Sequence, residues 1–202
     1  MSIGLTFKET MKGNFSVGAQ EPEEGAERGE QEGLELQMDA TVTIEDLDRF
    51  IDDPNHLGGL KGSISFPPYG DRIASQGGVF NLFSPGDNPG LKLMVYELGV
   101  QIDGTPHYFS GHKRVRNNSG SDLWSDTTTL YSTVHAGLGK DAPVVAAGII
   151  RLGVLELKDL LITIRVAGAG SHSEQLGAIA KFGKFFLGEL WDTYAPFATD
   201  SS

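Results

Sequence analysis

The sequence predicts a mainly β fold, an antiparallel β-barrel of about eight strands with one long C-terminal helix. Three observations carry this. From Leu34 to Ile44 every second residue is apolar (Leu34, Leu36, Met38, Ala40, Val42, Ile44) and every residue between is polar, the beat of a strand with one buried and one wet face. Asp103-Gly104 separates two long alternating runs, Leu91 to Ile102 and Pro106 to Val115, and suits the positive φ values of a two-residue hairpin turn. Near the C-terminus Leu176, Ile179, Phe182, Phe186, Leu190 and Tyr194 recur at steps of three and four, the stripe of an amphipathic helix.

The other elements follow in chain order. Leu5 to Phe15 repeats the two-residue beat and opens the fold as a strand. Between Gln20 and Glu35 stand seven glutamates against the single Arg28, with three glycines and a proline; such a block buries little, so residues 20–33 are expected to form an acidic flexible loop. After the strand at Leu34 to Ile44, Thr43 is positioned to cap a short helix with Asp46 three residues on and Leu47, Phe50 and Ile51 as its apolar stripe, ending by Pro54. Leu60 to Phe66 is the next strand. Pro67 to Asp71 and Ser84 to Gly90 carry the proline, glycine and aspartate of turns. Thr127 to Ala136 alternates again, and Val144 to Leu152 is an apolar run rich in β-branched residues. Val154 to Val166 fits a helix through Leu157, Leu160, Leu161 and Ile164, while Leu161 to Val166 fits a strand equally well. A helix at about 173–195 completes a single domain spanning residues 1–202 and either packs outside the sheet or plugs one end. Many short strands punctuated by turns suit a closed barrel, lipocalin-like or allene oxide cyclase-like.

Composition narrows the function classes. The 202 residues include no cysteine, which removes disulfides, thiolate metal sites and cysteine nucleophiles. Acidic side chains number 27 against 16 basic ones, a net charge of −11 that disfavours nucleic acid, and the one basic cluster, Lys113, Arg114 and Arg116, is short. The longest apolar stretch, Pro143 to Ile150, falls short of the ~20 residues of a membrane span. No secretory signal precedes the first strand, so a cytoplasmic location is expected.

Chemistry-bearing motifs are few. No phosphate loop, dinucleotide fingerprint, nucleophile elbow or His-Glu-x-x-His run is present, and no cofactor is expected. The five histidines are scattered; His107 and His112 are five apart on one strand and should face opposite ways. Glu45 to Asp53 lacks the glycine and terminal glutamate of a calcium loop, so no metal site is expected. The most unusual polar segment is Gly120 to Tyr131, where Thr127, Thr129 and Tyr131 share one face of the expected strand, with Trp124 just before them. Either Asp122 and Asp126 brace a turn beside an exposed threonine ladder, or the hydroxyls line an apolar pocket and orient a ligand. On the second reading Tyr96, His112, Trp124, Thr127, Thr129 and Tyr131 are the ligand-binding candidates. Glu97, Tyr108 and Tyr131 are then the candidates for any catalytic role.

Several longer motifs carry a resemblance: Phe7-Lys-Glu-Thr-Met-Lys-Gly13, Gly78-Val-Phe-Asn-Leu-Phe83, Ser110-Gly-His-Lys113, Asp122 to Tyr131 and Phe182 to Tyr194. From Leu5 to Tyr194 the chain resembles the appended β-rich domain of large bacterial flavin oxidoreductases of the glucose-methanol-choline type, those similar to cholesterol oxidase. The resemblance implies a sterol-like or polyketide-like ligand and a flavin oxidoreductase partner; the flavin domain itself is not in this sequence, and no catalytic residue is transferred. The expectation is therefore a module binding a hydrophobic small molecule in a barrel interior. The alternatives are a cofactor-free cyclase or isomerase acting on a lipophilic intermediate and a purely structural or interaction domain. A homodimer is compatible with each of them.

Overall fold

The computed structural model describes residues 2–88, 90–116 and 123–194, with side chains at 116, 123–124, 157–161 and 190–194 outside that description. In chain order the elements are β1 (Gly4–Val17), α1 (Pro22–Glu32), β2 (Glu35–Ile44), α2 (Leu47–Asp52), β3 (Leu57–Phe66), β4 (Gly70–Pro85) and β5 (Leu91–Ile102). There follow β6 (Thr105–Arg116), α3 (Leu123–Thr128), β7 (Thr129–His135), β8 (Val144–Arg151), α4 (Val154–Thr163), β9 (Arg165–Ala167) and α5 (His172–Tyr194). Each strand from β1 to β8 pairs antiparallel with the next, and β8 returns to β1 through Phe15↔Gly148 and Val17↔Ala146, so the sheet closes into an eight-stranded barrel. The short β9 continues the β8 edge by pairing with the start of β1, Leu5↔Val166, after α4 has looped out between them. The ambiguous stretch at 154–166 is thus a helix and then a strand.

The barrel follows from alternation. Leu5, Phe7, Met11 and Phe15 of β1 face inward, as do Leu36 to Ile44 on the even phase of β2 and Met94 to Ile102 on the even phase of β5. Asp103 and Gly104 have φ of 49° and 76°, the two left-handed conformations the tight hairpin requires. Leu36, Met38, Ile64, Leu98, Phe109, Leu130, Val134 and Ile150 expose none of their surface, so no water-sized space lies against them. The interior is filled by its own side chains.

Local structure departs from the sequence reading in four places. Residues 20–33 do not form a loop: Pro22–Glu32 is α1, begun by a proline and ended by Gly33 at φ 67°. Gly25 and Gly29 share the face laid on β8 and β1, where a Cβ would stand 2.0 Å from the Ala147 carbonyl oxygen and 2.4 Å from the Phe15 nitrogen. The glycines are contact points, and the glutamates lie on the other faces, with Arg28 reaching Glu24 and Glu32 at i±4. The cap of α2 is Asp46, whose side chain accepts from the Arg49 N–H at 3.1 Å, while Thr43 stays in β2. Thr127 and Thr128 end α3 rather than begin a strand, and β7 starts at Thr129.

The fourth difference concerns the C-terminal helix, which spans His172–Tyr194 as expected but turns inward only Phe182 and Phe186 of the expected stripe, the Leu190 and Tyr194 side chains lying outside the described residues. Ala178, Phe182, Phe185 and Phe186 meet the core, while Leu176, Ile179 and Leu187 face solvent. The helix lies across one mouth of the barrel. The Phe182 ring lies 6.1 Å from that of the inward-facing Phe7 at a tilt of 39°, Phe185 meets Phe50 and His56, and Phe186 meets Phe83. Two ion pairs tie it to the rim, Lys92–Glu189 at 2.5 Å and Lys181–Asp48. At the opposite end Tyr69, from the turn between β3 and β4, folds its ring over Phe66 and toward His107.

Candidate functional site

Two charged residues sit on the buried phase of their strands. On β1 the inward row reads Leu5, Phe7, Glu9, Met11; on β6 it reads Phe109, Gly111, Lys113, Val115. Glu9 is 5% exposed and Lys113 2%, and their charged groups approach to 3.6 Å inside the barrel. Tyr96, on the inward phase of β5, is 1% exposed and crosses from the far wall. Its hydroxyl donates to both Glu9 oxygens, at 3.1 and 3.0 Å. The Lys113 ammonium lies 4.9 Å from the centre of the Tyr96 ring, a cation–π contact. Burial, then the neighbouring Glu9 carboxylate, pushes the Tyr96 phenol well above its ordinary value, so it remains a proton donor.

This polar bridge spans a packed interior that is otherwise apolar but for Ser132, whose hydroxyl donates to the Leu130 carbonyl of its own strand. Glu9 lies one inward position deeper than Phe7, and the Phe80 ring stands edge-on to Tyr96 at 5.1 Å and to Phe7 at 6.2 Å. Rings therefore run unbroken from Phe182 of α5 through Phe7 and Phe80 to Tyr96. Neither Glu9 nor Lys113 is among the sequence candidates. The signal that marks them is a charge on the apolar beat of an alternating strand, which costs stability unless the charge is paired.

The other expected site residues lie on the opposite side of the wall. Glu97 alternates with Tyr96 and so points outward, where it accepts from the Tyr108 hydroxyl at 2.6 Å and from Lys140 at 2.5 Å. Burial and the Glu97 contact raise the Tyr108 phenol far above its usual range. Tyr131 and His112 are cross-strand neighbours whose rings stack at 6.1 Å; Arg114 covers the Tyr131 ring and donates its Nε–H to His112 Nε2 at 3.0 Å. Burial first, then Arg114, holds the His112 imidazole below its ordinary value of 6.5. His135 contacts the Ala142 carbonyl at 2.8 Å through Nδ1, which must carry the proton because a carbonyl only accepts, and its Nε2 meets the Thr133 hydroxyl at 2.9 Å.

Thr129 is buried on that same outer phase of β7, and Thr127 is half-buried in the last turn of α3. Asp122 and the Trp124 side chain fall outside the described residues. The expected single patch is thus divided by the barrel wall, with Tyr96 inside and Glu97, Tyr108, His112, Thr129 and Tyr131 outside. The physical cause is the two-residue period, which sends Tyr96 and Glu97 to opposite faces.

Among the described residues no three carboxylate or imidazole groups converge to hold a metal ion, and no helix is long and apolar enough to cross a membrane. A surface groove of about 500 Å³, lined by Lys12, Glu35, Gln37, Ser65 and Asp71 among others, touches none of the expected site residues. No family model, curated protein or solved structure matches the chain.

Proposed function

We propose that the barrel binds a hydrophobic small molecule at the Glu9–Tyr96–Lys113 bridge, entering beneath α5. The observation that carries the reading is the ion pair itself, buried in an apolar barrel. Replacing such a pair by apolar side chains is commonly neutral or stabilising by ~1–4 kcal/mol, so stability is a weak reason for keeping it. Apolar walls with a few placed polar groups are what a small-molecule site requires. The filled interior is compatible with this because Phe7, one of the side chains nearest the bridge, is capped by Phe182 of α5, with Phe80 between Phe7 and Tyr96. Ala178 is the buried residue of α5 among those whose side chains are described. Swinging α5 away removes Phe182, Phe185 and Phe186 from the mouth and frees Phe7 to move. A flavin oxidoreductase as the enzyme served by this ligand is supported by the sequence resemblance alone.

The test is titration of the full chain with Nile red, an uncharged apolar fluorophore, followed by displacement with a sterol and with twelve-carbon alcohols and acids. Saturable one-to-one binding is expected, weakened about tenfold or more by Phe80→Trp, which adds volume beside Tyr96, and unchanged by Tyr131→Phe on the outer wall. No saturable binding, or binding that responds to Tyr131→Phe and not to Phe80→Trp, would remove the interior site. Mass spectrometry of the recovered ligand separates the binder from a cyclase or isomerase, which would return it changed.

A further inference from the structure

We infer that the ligand of this site is uncharged, an apolar molecule bearing a hydroxyl or carbonyl oxygen, and that fatty acids and amines are rejected. The inference rests on the reading that the ligand binds at the bridge, and it follows from the charges enclosed there. Among the described residues, the buried charged side chains are Glu9, Lys113 and Glu97. Glu97 lies across the wall with Lys140, and at the mouth Lys92 is paired with Glu189. What remains inside is one carboxylate and one ammonium 3.6 Å apart, a sum of zero.

A carboxylate entering this chamber gives up its hydration and finds its only cation already matched by Glu9. It would also place a second negative charge beside the first. An ammonium meets the mirror-image situation at Lys113. Either ion would be buried without compensation, the most unfavourable arrangement a protein interior offers. An uncharged oxygen meets no such obstacle. Both Glu9 oxygens accept from the Tyr96 hydroxyl, and each retains a further lone pair, so a ligand hydroxyl can donate to Glu9. The Lys113 ammonium carries three protons, and the same ligand oxygen can accept one of them. A ketone or ester carbonyl uses Lys113 alone. The polar end therefore enters first and the apolar remainder takes the place of the Phe7 and α5 rings.

The charge sum makes the selectivity reversible by a single residue. Glu9→Gln keeps the shape and an acceptor for Tyr96 but leaves Lys113 as an enclosed positive charge, which an anionic ligand would neutralise. The experiment is Nile red displacement at pH 7.5 by dodecanol, dodecanoate and dodecylamine, three probes of one chain length, on wild type and on Glu9→Gln. Wild type is expected to bind dodecanol at least about tenfold more tightly than either ion, and Glu9→Gln to prefer dodecanoate over dodecanol by a similar factor. If Glu9→Gln does not fold, the order among the three probes on wild type decides. Dodecanoate or dodecylamine equalling dodecanol on wild type overturns the inference while leaving the binding site standing, and so does an order that Glu9→Gln leaves unchanged. If none of the three displaces Nile red from wild type, the binding site falls and the selectivity with it.

Discussion

At the scale of single residues, Glu9 and Lys113 depend on each other. Removing one leaves its partner as an uncompensated buried charge, whereas removing both leaves a chamber that apolar side chains can fill. Lys113→Met and Glu9→Leu are each expected to destabilise the fold by ~3–5 kcal/mol, and the double variant to lie within ~1–2 kcal/mol of wild type or above it. Urea unfolding of the four proteins reads this; additive losses would show that the groups are not coupled. His112 supplies a second residue-scale expectation. Its folded-state value lies below the ordinary 6.5, so as pH falls below that figure the unfolded chain takes up a proton that the folded one resists. The stability tied to neutral His112 is therefore complete above pH 6.5 and drains away through the lower, folded value. His112→Gln should flatten the dependence of unfolding free energy on pH between about 7 and 5, measured by urea titration. An unchanged slope would assign the acid sensitivity to other groups.

At the scale of elements, α1 shows how an acidic, glycine-rich segment becomes ordered. Its helix lies against the barrel backbone because Gly25 and Gly29 present no side chain there. Alanine at position 29 would gain ~1 kcal/mol in helix propensity, but its methyl meets Phe15 main-chain atoms at 2.4 and 2.6 Å, and main chain cannot rotate aside. Overpacking of that kind costs ~1–3 kcal/mol, so Gly29→Ala is expected to lower the melting temperature. Gly177→Ala on α5, where nothing lies within 4 Å of the new Cβ, should leave it unchanged or raise it. Thermal denaturation of both variants checks the contrast, and equal responses would mean that α1 is not seated through its glycines. The helix is further tied at its end by the Ser16 hydroxyl donating to Glu32 at 2.8 Å.

At the scale of the whole molecule, closure is what gives the bridge its meaning. Glu9 and Tyr96 are 87 residues apart and come from β1 and β5, strands on opposite sides of the barrel. They meet because eight strands enclose an interior that one long side chain can cross. The mouth and the far end are closed by different devices, a long helix at one and a tyrosine-bearing turn at the other.

By itself the sequence determined the antiparallel meander, the Asp103-Gly104 hairpin and the C-terminal helix, because alternation, turn chemistry and a three-to-four spacing are local properties written in neighbouring residues. It also grouped Tyr96 with Glu97, Tyr108, His112 and Tyr131; the structure brings the last four to one surface of β5, β6 and β7 and turns Tyr96 into the barrel. Only the tertiary structure decided which side of the sheet that surface is. Period two relates each residue to its neighbours but does not say which phase faces inward on strands with apolar residues on both, and on β5 both Tyr96 and Glu97 end up buried. The order of residues 20–33 was hidden for a similar reason: the backbone on which Gly25 and Gly29 rest is contributed by Phe15 and by Ala147, far along the chain. The Glu9–Tyr96–Lys113 bridge was legible only as two charges out of step with their strands, since what turns an out-of-step charge into a paired one is a partner that barrel closure alone delivers.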